Sequence, residues 1–172
     1  MRITASLLLG AWLAGTAVVA WVAAENFFMI DRMLDTPVNT AFAAAVDKLP
    51  HGEARMTLRY LSSELNRYYF SAWGWIGTGL GFALLALATK LGGRKLQIGL
   101  GIMTAISALM VLYLTPQIVD VGRELDYVLP TAANAARAPF GRLHGIYSSL
   151  ELLKLTIGLW MSVVLVRGGK QP

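Results

Sequence analysis

The segment Tyr69–Leu114 reads YFSAWGWIGTGLGFALLALATKLGGRKLQIGLGIMTAISALMVLYL, and its pattern decides the fold. Two apolar runs, Tyr69–Leu91 and Leu96–Leu114, flank the basic hinge Lys90-Leu91-Gly92-Gly93-Arg94-Lys95. Crossing the hydrocarbon of a bilayer takes about 20 helical residues, and each run has them. Lipid offers no partner to an open N–H or C=O, so such a run is satisfied only as an α-helix. Two further runs, Ser6–Ala24 toward the N-terminus and Ile146–Val166 toward the C-terminus, have the same character. The pattern predicts an all-α polytopic membrane protein: one domain over residues 1–172, a four-transmembrane-helix antiparallel bundle with spans near 6–24, 69–91, 96–114 and 146–166.

The composition agrees. Of 172 residues 56% are hydrophobic and 15% charged, more apolar surface than one soluble core of that size uses. The first span is read as retained, because its apolar stretch from Ala5 to Ala24 exceeds the ~7–15 residues of a signal-peptide core. Cleavage after Val22-Ala23-Ala24 is the alternative and leaves three spans.

The net charge of +5 would suggest nucleic acid in a soluble chain, but its placement reads as topology. Arg2, Lys90, Arg94, Lys95, Arg167 and Lys170 fall on one side, with no acidic residue among them. The segment Asp31–Arg67 carries five basic and five acidic residues, and Asp120–Arg142 three of each. The purely basic side is expected to be cytoplasmic, with both termini inside, as in a bacterial inner membrane. The partner is then the bilayer, with no nucleic acid.

On the other side the helices are expected to continue past the membrane. Ala23, Phe27, Ile30 and Leu34 keep helical spacing after the first span. Ala54, Leu58, Leu61, Leu65 and Tyr68 do so before the second, and Leu114, Ile118, Val121, Leu125 and Val128 after the third, with a kink at Pro116. Thr36-Pro37 reads as N-cap and first-turn proline of a lateral helix over about 37–48. Close helix contact is expected at Gly77 and Gly81, at Gly101, Ala105 and Ala108, and at Gly10 and Ala14.

The costly residues lie on the fourth helix. Glu151 and Lys154, five and eight residues past Ile146, sit roughly 8–12 Å into the hydrocarbon, three residues apart and able to pair. His144, Ser148 and Glu151 share a helical face, flanked by Tyr147 and Ser149, and Glu25 ends the first apolar run on the same side, within reach of His144 or Arg142 if the bundle closes. The candidate polar site is therefore Glu25, His144, Ser148, Glu151 and Lys154. It is either an outward pocket for a cation, a proton or a small polar ligand, or a hydrogen-bond network that sets helix register.

Sharper chemistry finds little support. Without cysteine there is no disulfide, Cys-ligated zinc or Fe–S cluster. A bis-histidine haem needs His51 and His144 on facing helices, yet His51 sits in the break Leu49-Pro50-His51-Gly52. A metal held by His144, Glu151 and Glu25 has too few ligands. Ser148 or Ser149 with His144 as base lacks any elbow motif. No catalytic residue, metal or cofactor is assigned.

Several short elements together resemble the transmembrane protein 205-like family, whose bacterial members are known as a domain of unknown function. These are Leu9-Gly10-Ala11-Trp12, Leu49-Pro50 ahead of Arg67-Tyr68-Tyr69-Phe70, Leu114-Thr115-Pro116, and Phe140-Gly141-Arg142-Leu143-His144-Gly145 followed by Ser148-Ser149. The likeness spans nearly the whole chain, and His144, Gly145, Ser148 and Ser149 are its most specific positions. It departs in a longer segment before Leu49 and in Glu151, where the family pattern has a neutral amide. The resemblance implies a four-helix membrane protein; its eukaryotic relative is associated with platinum-drug resistance and vesicular traffic, which implies no reaction.

The leading functional expectation is a non-enzymatic scaffold or accessory subunit that docks a membrane-protein partner, or a second copy, through its outer helices. The alternative is a small transporter or metal/drug-resistance protein with an outward polar pocket at His144, Ser148 and Glu151, which in so small a bundle needs a homo-oligomer.

Overall fold

The computed structural model describes residues 1–50, 52–128 and 134–167, and all its regular elements are helices. Helix α1 runs Arg2–Asp35 without an internal proline. It ends where Pro37 pushes the preceding residue out of the helical region. Thr36 has φ −137° and ψ 67°, and its hydroxyl donates to the Arg32 carbonyl at 3.0 Å. Thr36 therefore closes α1 and does not open the lateral helix. That helix, α2, is shorter than expected, Thr40–Val46, and its N-cap is Asn39, whose side chain accepts from the Phe42 N–H at 3.0 Å.

Helix α3, Glu53–Leu91, starts after Gly52 and stops at Gly92-Gly93, whose φ values of 70° and 104° exclude most other residues. This two-residue turn feeds α4, Arg94–Leu109. A turn of π-helix follows at Met110–Leu114, then α5 at Thr115–Arg123. The kink expected at Pro116 is this π turn. Proline has no N–H to offer the Leu112 carbonyl, and the Thr115 N–H reaches back to the Met110 carbonyl, five residues away. The helix ends at Arg123, short of Val128, because Glu124–Tyr127 tighten into three-residue turns. Tyr127, at φ 58°, adopts the left-handed conformation. Helix α6 begins at Arg137, nine residues before the apolar run, and reaches Arg167.

Four helical segments, 2–35, 53–91, 94–123 and 137–167, are long and apolar enough to cross a membrane. They pack with sequence numbers running in opposite senses. Along α1 and α3, Asp31 meets Arg55, Asn26 meets Asn66 at 2.8 Å, and Thr16 meets the Trp73 indole at 3.0 Å. Along α4 and α6, Gly99 receives Met161 and Gly158 lies against Met103. The core is the fully buried set Leu9, Trp12, Leu84, Leu100, Met103 and Met161.

Close approach depends on glycine at particular points. A Cβ on Gly77 would stand 2.8 Å from the Trp12 Nε1, and one on Gly81 2.5 Å from the Thr104 hydroxyl. Gly15, Gly99 and Gly158 are equally filled, by Trp73, Met161 and Leu13. The expectation for Gly10 and Gly101 does not hold. Gly10 has open space where a Cβ would go, and Gly101 meets only Leu85 at 4.0 Å. Ala14 and Ala105 face outward as well.

Candidate functional site

The bundle has two ends. One holds Arg2, the Gly92-Gly93 turn and Arg167; the other, termed distal, holds the end of α1, the start of α3, α5 and the start of α6. At the distal end the helices line a cavity of about 400 Å³.

Its polar wall comes from α3. Arg55, Arg59, Ser63 and Arg67 recur every fourth residue, so they form one stripe, and all four line the cavity. Arg55 is tied to Asp31 and Asp35 of α1. Arg67 grips Asp126 two-pronged, at 2.8 and 3.0 Å, and also binds Glu64, which Arg123 bonds at 2.9 Å. Burial works against the Arg67 charge, but the hydrogen bonds it donates to Asp126 and Glu64, with the two negative charges, outweigh it and raise its pKa above the ordinary arginine value. Arg59 forms no ion pair among the described residues, and its guanidinium lies 5.3 Å over the Phe27 ring.

The opposite wall is aromatic and aliphatic: Ile118 and Val119 of α5, and Phe140, His144 and Tyr147 of α6. The imidazole of His144 stacks on Phe140 at 5.9 Å and 14°. Phe70 meets Tyr147 edge-on at 5.7 Å near the floor. Tyr127 closes the far end, its ring 5.6 Å from Tyr60 and its hydroxyl 3.2 Å from Thr57. Asn66 donates to the Ala23 carbonyl at 3.0 Å and accepts from Asn26, which stitches α1 to α3 beside the cavity.

No family model, no curated protein and no solved structure matches this chain.

The residues singled out from the sequence separate into two places. His144 lines the cavity; Ser148, one turn on, is exposed and does not, and Glu151 is not among the lining residues. Glu151 instead pairs with Lys154 at 2.9 Å, one side of a buried cluster in which the Lys154 ammonium sits 5.9 Å from the Trp12 ring. Lys154 is 3% exposed. The Glu151 Oε2 and the Trp12 Nε1 are buried without a hydrogen-bond partner among the described residues. Glu25 is half-buried on α1 and forms no ion pair among them, so it does not join His144 or Arg142. The Ser149 hydroxyl bonds back to the Gly145 carbonyl at 2.8 Å, and no neighbour would obstruct a Cβ on Gly145. No group of three or more His, Asp or Glu among the described residues is placed to hold a metal ion. His51 and Lys170 lie outside the described residues.

Sequence reasoning missed Arg59, Arg67, Asp126 and Phe27 as cavity residues. The four-residue recurrence of Arg55, Arg59, Ser63 and Arg67 was the available signal. Taken only as topology charges, these residues cancelled against their acidic neighbours.

Proposed function

We propose that this protein is a multi-pass membrane binding protein whose distal cavity holds a small amphipathic molecule. The carrying observation is the cavity of about 400 Å³, within the ~300–1,000 Å³ range of small-molecule sites, with apolar and aromatic walls and a few convergent polar groups. The distal end faces outward from the cytoplasm in this reading, supported by the basic residues Arg2, Lys90, Arg94, Lys95 and Arg167 at the opposite end. The four apolar helices then form an antiparallel transmembrane bundle in a bacterial inner membrane. Membership of the transmembrane protein 205-like family is part of the same proposal and adds no reaction to it.

Binding is favoured over passage. Beneath the cavity the side chains of Trp12, Leu9, Leu84, Leu100, Met103 and Met161 are fully buried against one another, which leaves a single bundle little lumen. The chain reconstituted in nanodiscs is expected to bind the neutral probe Nile red saturably, and Val119→Trp, which fills the cavity, to abolish that binding without lowering thermal stability. Unsaturable partition, equal in wild type and variant, would refute the reading.

A specific surface favours docking as a second reading. Leu61, Leu65 and Tyr68 form one exposed face of α3 beyond its apolar run, at 54%, 37% and 69% exposure. A membrane-protein partner or a second copy covering that face makes the protein an accessory subunit. Purification in mild detergent is then expected to yield a larger complex that Leu65→Glu disperses, and an isolated monomer throughout counts against docking.

A further inference from the structure

Resting on the binding reading above, we propose that the distal cavity selects an anionic amphiphile with a single apolar chain, and that Arg59 is the cation that meets its head group.

The charge balance carries the first half. Four guanidiniums, of Arg55, Arg59, Arg67 and Arg137, line the cavity against one carboxylate, Asp126. Arg67 occupies that carboxylate with both its terminal nitrogens, and Arg55 is satisfied from behind by Asp31 and Asp35. Arg59 faces only the Phe27 ring, and no acid pairs with it among the described residues. A half-buried cation without a counter-ion binds an anion more strongly than the same cation in open water does, because the surrounding dielectric is lower and part of its desolvation is already complete.

The second half comes from how polarity is laid out. Along α3 the lining goes from Arg55 and Arg59, through Ser63 and Arg67, to Phe70, where the apolar run begins. Phe70 packs edge-on against Tyr147, beside the start of the α6 apolar run at Ile146, and Thr115, just past the end of the third apolar run at Leu114, lines the same cavity. A molecule lying along this gradient has its charged end toward the solvent-side loops and its chain toward the hydrocarbon. The volume, near the lower end of the range for small-molecule sites, fits one chain and excludes a whole two-chain phospholipid. The shared chemistry is a carboxylate or phosphate on one chain, reached either by a free molecule from the water or by one chain of an anionic lipid from the bilayer.

The test uses the full chain in phosphatidylcholine nanodiscs and three probes with the same chain: dodecanoate, dodecanol and dodecyltrimethylammonium. Dodecanoate is expected to bind about tenfold more tightly than dodecanol, the scale of one charge-assisted contact, and the ammonium not at all. Arg59→Gln is expected to remove that preference, bringing the dodecanoate-to-dodecanol affinity ratio to about one, and Arg59→Lys to keep most of it. The comparison among probes in the wild type holds even if a variant fails to fold. Equal binding of dodecanoate and dodecanol, or tighter binding of the ammonium, overturns the proposal while saturable Nile red binding still upholds the cavity; failure of all probes and of Nile red removes both. Adding phosphatidylglycerol to the disc separates the sources. Competition with dodecanoate supports the proposal with a bilayer lipid as occupant, and undiminished binding supports it with a ligand from the water.

Discussion

Lys154 has exchanged water for the Glu151 carboxylate and the face of Trp12. A buried pair of this kind contributes little as a pair, yet losing one partner leaves an uncompensated charge. Lys154→Met is expected to cost about 3–5 kcal/mol in detergent unfolding, and the double change Glu151→Gln with Lys154→Met to recover most of it. Independent, additive losses would show that the two groups are not coupled. Arg67 gives a prediction with a sign. Its folded pKa lies above the ordinary arginine value, so its contribution is fully present below that ordinary value and lost only as pH rises through the folded one. Wild type and Arg67→Gln should therefore differ by a constant stability, about 2 kcal/mol, from neutral pH to moderately alkaline pH. Convergence of the two curves in that window refutes the assignment. The Glu151–Lys154 pairing was legible from three-residue spacing on one helix. The orphaned Oε2 was not, because it depends on what α1 places opposite.

Helices show the same division. The apolar runs and the Gly92-Gly93 turn are local, and they were readable from residue type and spacing. The rotation of each helix about its axis is not local. Gly77 and Gly81 are contact points as expected, while Gly10 and Gly101 have the same appearance in sequence, yet Gly10 faces open space and Gly101 meets only Leu85 at 4.0 Å. Two substitutions separate these cases in thermal unfolding. Gly99→Val drives a side chain into Met161 and is expected to destabilise by roughly 1–3 kcal/mol, whereas Gly10→Ala meets nothing and is expected to be neutral or stabilising by up to ~1 kcal/mol. The lateral helix was misread at its start because Thr36-Pro37 has the right residue types for a cap. The Thr36 hydroxyl instead turns back to Arg32, and Asn39 caps.

For the whole molecule, the arrangement predicts that the two ends lie on opposite sides of a membrane. The chain has no cysteine, so single cysteines at Thr40 and at Gly93 can be read without background. A membrane-impermeant thiol reagent on intact cells is expected to label the first and spare the second, and inside-out vesicles to reverse the result. Labelling of both from one side breaks the four-span topology. What the sequence alone determined is the class of object: helical, apolar enough to span, and polarised in charge from end to end. Those properties follow from hydropathy and charge, which accumulate along the chain. What only the tertiary structure decided is the site. Among the described residues Arg59 has no acid because Asp31 and Asp35 of α1 are taken by Arg55 and Asp126, in the turn after α5, by Arg67, and that allocation exists only once helices distant in sequence lie side by side. Pairing across helices depends on their register and rotation, and neither is encoded by the spacing within any one of them.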